Sequence, residues 1–380
     1  MKYIFTDIFK DFACVGGKCI DSCCFREWGI LVDDITYQKY ASLEEPLRSY
    51  ICSHIEKTEQ GYRIIEGSHG RCPFLNQQNL CDIYSMVSPE AMCDTCRIYP
   101  RKIEQYYDVV MGTMFVSCPE VARMLLEKET PIMFCFTEDQ GENVSGNVDW
   151  ILYNELINGL VTTTDILQDR DLALWQRFQL VLIVTSVIQE HIEKNDLTSL
   201  RETIECFRDK EYRRRMYEEY QVNPLEGRES WRFIYSLFEH IFSDKNASAG
   251  QETFEDRFRS IGAEDERTYQ EWNNEFKSMD LNIEYENLTV QFIFEYYMDA
   301  LKGESLYINV VKMLVLLILI RTQEVIEYHL KRELSVEDKA LIIANTSEMM
   351  EHSNMLETLA EEIVKRNEKE MLFVLLGALS

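Results

Sequence analysis

Ten of the twelve cysteines fall between residues 12 and 123 of the 380-residue chain, and nine of those are grouped at spacings suited to metal ligation. Cys14 and Cys19 lie five apart, Cys23 follows four later with Cys24 beside it, and Cys72, Cys81, Cys93, Cys96 and Cys118 supply further sulfurs. Thiolates crowded this closely repel one another unless a cation sits among them, so a metal ion or an iron-sulfur cluster is the economical reading. Four thiolates complete one zinc or one 4Fe-4S site. Nine are too many for a single closed site, which leaves two sites, or one site beside redox-active thiols. Zinc modules favour paired C-x2-C knuckles; only Cys93 and Cys96 have that spacing, and no histidine follows at finger distance. An iron-sulfur cluster tolerates irregular spacing and is favoured over zinc. Cys52, Cys135 and Cys206 stand apart and read as ordinary thiols.

The elements that must position these thiols give short, mixed signals. Brief strands are expected at 28–32 and 62–65, and a hairpin or loop at 74–84 around NQQN. Ser88 and Pro89 form a helix start that places Cys93 and Cys96 one turn apart on one face. Residues 102–117 read as a strand pair broken near Gly112. Pro119 starts a helix with Cys118 at its cap, and helix N-termini at Cys93 and Cys118 favour the thiolate form. The polar run EDQGENVSGN (138–147) is the expected linker between a cysteine-rich domain (1–137) and an acidic helical domain (148–380). Beyond it, apolar residues recur at helical intervals over 149–160, 172–194, 197–207, 231–242, 287–301, 306–331, 336–352 and 355–365. Ser335 with Asp338, and Asn354 with Glu357, have the form of capping boxes. The expected fold is mainly α: a small mixed α/β N-terminal domain followed by a larger multi-helix domain.

The net charge of -27 is unevenly placed. Residues 1–130 carry 14 basic and 19 acidic side chains and the rest carry 25 and 47, so the later region holds -22 of the total. Such a surface repels nucleic-acid phosphates and anionic membranes and steers basic partners toward it. The opening residues lack an apolar signal core, and the run 310–320 is broken by Lys312 and too short to span a bilayer. A cytoplasmic location is therefore expected, where cysteines serve metal or redox chemistry in place of disulfides. P-loop, G-x-G-x-x-G, H-E-x-x-H, G-x-S-x-G and kinase signatures are all missing from the sequence.

CIDSCC resembles the C-x3-C-C signature of YkgJ-type zinc- or iron-chelating proteins. The longer order of CIDSCC, WGILVDDITYQKY, GRCPFL, LCDIY, CDTCRIYPR and SCPEVARMLL resembles the flagellin lysine-N-methylase family, FliB. The resemblance continues through WQRFQLVLIV, ENLTVQFIFEYYMDAL and SVEDKALIIANTSEMMEHS, and so covers most of the chain. It implies an S-adenosylmethionine-dependent methyltransferase that modifies flagellin lysines and holds a 4Fe-4S cluster. The implied ligand positions are Cys14, Cys19, Cys23, Cys24, Cys72, Cys81, Cys93, Cys96 and Cys118. One departure is that the family pattern has an arginine just ahead of MMEHS, where Ser347 and Glu348 stand. Under this resemblance a lysine amine, with a pKa of about 10.4, must lose a proton before it attacks a sulfonium methyl. Tyr84, Tyr99 and Asp82 are the candidates for that step. Trp28 or Tyr99 offers an aromatic face to the sulfonium. Arg71, Arg97 and Arg101 are candidates for the methionine carboxylate or for cluster charge. The competing classes are a non-enzymatic zinc- or iron-chelating interaction protein and a cysteine-cluster oxidoreductase.

Overall fold

The computed structural model of the protein describes every residue except 27–28, 60, 66, 68–69, 107, 139–148, 221–227, 243–248, 263–264, 277–280, 352–354, 367–374, 378 and 380. The described strands are β1 (Lys2–Thr6), β2 (Leu31–Val32), β3 (Ile55–Thr58), β4 (Gly61–Ile64), β5 (Arg101–Tyr106), β6 (Val109–Met114) and β7 (Phe134–Glu138). Among them run the short helices α1 (Asp7–Asp11), α2 (Asp34–Ala41), α3 (Leu47–Cys52), α4 (Asp94–Ile98) and α5 (Pro119–Leu126). The rest is helical: α6 (Trp150–Leu167), α7 (Leu174–Glu193), α8 (Leu197–Arg208), α9 (Lys210–Glu219), α10 (Arg228–Phe242), α11 (Ala249–Ile261), α12 (Glu266–Phe276), α13 (Asn282–Tyr296), α14 (Leu306–Lys331), α15 (Val336–Glu351) and α16 (Met355–Arg366). The chain is thus mainly α, with a small mixed α/β region ahead of a larger helical one.

The larger sheet has the order β5-β6-β1-β7, with β1 and β6 parallel and the other neighbours antiparallel. Every residue of β6 is buried, as expected for a central strand covered on both faces. β5 ends at Tyr106 and β6 begins at Val109, so the expected break near Gly112 is corrected: Gly112 lies inside β6. Its lack of a side chain is a packing requirement, since a Cβ there would lie 2.6 Å from the Phe5 ring, which stacks on Phe9 at 4.7 Å. The smaller sheet, β2-β4-β3, packs with Tyr40, Ile51, Phe74 and Ile83 into a separate small core that includes Cys93.

The helices bury a continuous core that extends through β6 and α5. At its centre α14 is long and apolar enough to cross a membrane, but 78% of its most apolar window is buried by neighbouring helices. α13 fixes the segment that carries Cys118. The Gln291 amide donates to Thr113 Oγ1 (2.7 Å) and to the Met114 carbonyl (2.8 Å), ahead of the cysteine. Beyond it, the Asn287 amide donates to the carbonyls of Leu125 (3.0 Å) and Lys128 (2.6 Å). The Ser335–Asp338 capping box forms as expected, each side chain accepting from the other residue's backbone N–H at 3.1 Å. The Asn354–Glu357 box and most of the expected linker lie outside the described residues.

Candidate metal centre

The first thiols hang on the turn after α1, whose N-terminus Thr6 caps by accepting from the Phe9 N–H. Gly16 has φ of +57°, a conformation that side chains strain. At Gly17 a Cβ would lie 2.9 Å from the Asn79 carbonyl oxygen. The glycine pair therefore lets the loop bearing Cys14 and Cys19 lie on the turn that leads to Cys81. Ser22 accepts from the Cys24 N–H and opens one helical turn, Cys23–Phe25. The Cys24 carbonyl accepts from the Cys72 N–H at 2.8 Å, joining two cysteine segments through the backbone.

Cys118 is the N-cap of α5, where the unpaired N–H groups favour an anion. Cys93 is the N-cap of α4. This corrects the expectation of one helix from Ser88: the turn at Pro89–Ala91 ends at Met92, whose extended backbone separates it from α4. Cys93 and Cys118 are buried, Cys14 and Cys23 face solvent, and the other five are half-buried.

The thiols fall into two neighbourhoods. Burial pushes Cys118 up to about 12, with Cys19 and Cys14 adding to the rise. Cys19 is raised by burial and also feels Cys14. Cys23 is raised mainly by its hydrogen bond to Cys24 and feels Cys118 and Cys14. Cys14, Cys19, Cys23 and Cys118 thus form one set. In the second, burial pushes Cys72 up to about 12, with Cys24, Cys81 and Cys93 adding to it. Cys81 is raised by burial and feels Cys24. Cys96 is held up by its hydrogen bond to Cys93. Cys24 and Cys93 move down, because Cys23 and Cys96 respectively hydrogen-bond to them. The adjacent pair Cys23–Cys24 links the two sets.

Among the described residues, no three histidine, cysteine or acidic side chains converge closely enough to hold a metal ion as they stand. The donor chemistry nevertheless fits a thiophilic metal. Raised thiols keep their protons near neutral pH, and a cation that replaces those protons relieves the mutual repulsion of the sulfurs.

Around the thiols, Arg71 lowers the Cys24 pKa, lies 4.8 Å over the Phe25 ring and donates to the Asn76 carbonyl at 2.9 Å. Arg101 lies over Phe9 and Phe12 and donates to the Phe12 carbonyl at 3.3 Å. Arg97 is exposed and paired with Asp94. Both Asp82 oxygens are engaged, one accepting from Tyr50 Oη (3.0 Å) and one from Asn76 Nδ2 (3.1 Å). Tyr99 is half-buried with its hydroxyl 3.3 Å from Ser117 Oγ, whereas Tyr84 is 56% exposed. Trp28 lies outside the described residues, as does the histidine of MMEHS, His352.

Sequence reasoning missed Arg26. Its guanidinium is nearly buried and pairs with Asp21 at 2.5 Å and with Glu348 on α15, and it donates to Asn345 Oδ1 at 3.2 Å. The departure at Glu348 was the available signal, because a half-buried carboxylate needs a cation somewhere. This latch ties the CIDSCCFR loop to α15, and α15 packs on α5. With both carboxylates about a third exposed, Arg26→Ala should cost roughly 2 kcal/mol, below the range for a fully buried pair. Urea unfolding checks this, and an unchanged midpoint would show that the latch is idle.

Residues 161–377, more than half of the chain, match the FliB lysine N-methylase C-terminal domain. A lysine-N-methylase of Salmonella typhimurium is 31% identical over 121 residues, 30% of this chain and 30% of that protein. One from Salmonella choleraesuis matches with the same figures. The flagellar biosynthetic protein FliU of Salmonella muenchen is 30% identical over 121 residues, 30% of this chain and 71% of that protein. The matched stretch therefore spans less than a third of the two lysine-N-methylases. No solved structure matches the chain.

Proposed function

From the premise that this chain belongs to the FliB lysine N-methylase family, we propose that it transfers methyl groups from S-adenosylmethionine to the lysine ε-amino groups of flagellin in the cytoplasm. The observation that carries the reading is the match of residues 161–377 to the FliB lysine N-methylase C-terminal domain, with nine clustered cysteines on the segments ahead of it. Cys14, Cys19, Cys23 and Cys118 would supply four thiolates, the number that one 4Fe-4S cluster needs, with zinc as the alternative. Cys24, Cys72, Cys81, Cys93 and Cys96 form the second donor set. A cluster held there would supply positive charge that neutralises the crowded thiolates.

In the transfer itself a neutral lysine amine attacks the sulfonium methyl. The N–C bond forms, the C–S bond breaks, S-adenosylhomocysteine leaves, and the amine proton passes to a base or to water. This polar step needs no electron donor. Of the three candidate bases, Tyr84 is the one open to an incoming side chain, while Asp82 is held by Tyr50 and Asn76. Arg71 serves by stabilising the thiolate of Cys24. The acidic helical region attracts a lysine-rich stretch of flagellin at low salt.

Co-production of flagellin with this chain tests the reading in cells. Mass spectrometry should find methyllysine in that flagellin and none when Cys24→Ser replaces the wild type. Flagellin left unmethylated by the wild-type chain would overturn the proposal.

A further inference from the structure

At the end of the large sheet remote from the thiols, a cleft of about 660 Å³ opens between the sheet and the first turns of α6. Its lining includes Lys2 at the start of β1, Asp108 beside β6, Phe136 and Glu138 at the end of β7, and Trp150 and Tyr153 on α6. Because β1 and β6 run in parallel, their amino ends lie together here, while the loops bearing Cys14 and Cys118 leave their carboxyl ends. Five to six residues of extended strand, roughly 15–20 Å, separate the two regions. The cleft is within the size of small-ligand sites and lies outside the metal centre described above.

Register pairs Lys2 with Glu138 and Ile4 with Phe136, so Phe136 and Glu138 share one face of the sheet. The Trp150 and Tyr153 rings meet edge to face, 5.3 Å apart at 74°, with Trp150 36% exposed and Tyr153 buried behind it. The Tyr153 hydroxyl is buried with no hydrogen-bond partner. Two carboxylates, Asp108 and Glu138, face one ammonium, Lys2, which pairs with Asp108 at 3.2 Å. Glu138 has no ion-pair partner among the described residues, and the described lining residues Lys2, Asp108 and Glu138 together carry one negative charge in excess. Aromatic faces beside an uncompensated carboxylate attract a weakly hydrated organic cation, and the attraction grows when that cation carries methyl groups in place of N–H bonds.

We propose that this cleft binds the Nζ-methylated ammonium of a lysine side chain on the protein substrate, as a second contact remote from the thiols. The choice of methyllysine over other organic cations rests on the proposed lysine methylation. The cleft holds a lysine that has already been modified while another reaches the metal centre.

Equilibrium titration of the full chain with N-acetyl-trimethyllysine methylamide, followed by tryptophan fluorescence, tests this without any methyl transfer. Phe136 is 64% exposed and Glu138 is exposed, so Phe136→Ala and Glu138→Gln should leave the fold intact. Saturable binding is expected in the wild type, weakened about 10-fold or more by Phe136→Ala and also weakened by Glu138→Gln. No saturation up to ~10 mM would overturn the proposal, as would equal affinity in Phe136→Ala or equal affinity for the unmethylated analogue. Binding by a chain that methylates nothing would sink the proposed function and leave the cleft assignment standing; methylation without binding would do the reverse.

Discussion

Cys118→Ser should lower the metal content per chain without abolishing it, and should reduce methyl transfer by about 100-fold, since even groups standing behind a metal ligand are worth 10–100-fold. The change is chemically narrow. Serine is nearly the size of cysteine and is a good helix cap, so α5 keeps its N-terminus and loses only the soft thiolate. The set formed by Cys14, Cys19, Cys23 and Cys118 then has three sulfurs, while Cys24, Cys72, Cys81, Cys93 and Cys96 keep all of theirs. Combining Cys118→Ser with Cys93→Ser should remove most of the remaining metal, because each set has then lost a buried donor. Iron, sulfide and zinc analysis of protein purified without oxygen, read with its absorption spectrum, checks both statements. Full metal content in Cys118→Ser would show that this thiol is a buried cap and no ligand.

The largest effect on stability is expected away from the thiols. Glu286 on α13 is almost wholly buried, accepting from Arg177 at 2.7 Å and from Arg170 at 2.9 Å. Arg177 is itself buried, and it also donates to the carbonyls of Leu167 and Leu172 at 3.0 and 2.9 Å. The cluster joins α13 to α6 and α7 at the point where all three enter the core. Glu286→Ala would leave the Arg177 guanidinium buried without its carboxylate, at a cost of about 3–5 kcal/mol. Urea unfolding followed by circular dichroism measures this loss. A midpoint equal to that of the wild type would mean that Arg177 finds a new partner or reaches water.

Much of this architecture was legible in the sequence, and what was not has physical causes. The bounds of α14 coincide with the expected 306–331, because apolar residues recur at helical spacing throughout it and Ser305 and Arg332 cap its ends. α9 was missed because KEYRRRMYEE is almost all polar; it is held by the Asp209 cap, with Arg213 buried within it. β1 was missed because five residues carry little periodicity, and its partners β6 and β7 lie far along the chain. The same long-range pairing places the cysteine loops. Because β1 and β6 run in parallel, the loops bearing Cys14 and Cys118 leave the same end of the sheet, which spacing alone does not convey. Arg26 escaped notice because its second partner, Glu348, is over three hundred positions away. The clustering of nine cysteines along the chain is legible because spacing is a local property; which of them meet is a tertiary one.

The most direct test of the account is methyl transfer by the purified chain, made without oxygen and supplied with S-adenosylmethionine and flagellin. The account predicts methyllysine in flagellin with one S-adenosylhomocysteine formed per methyl group and no 5'-deoxyadenosine. Formation of 5'-deoxyadenosine in step with methylation would contradict the polar transfer. Failure to methylate any lysine, with iron and sulfide present and the thiols intact, would contradict the assignment as a lysine methylase.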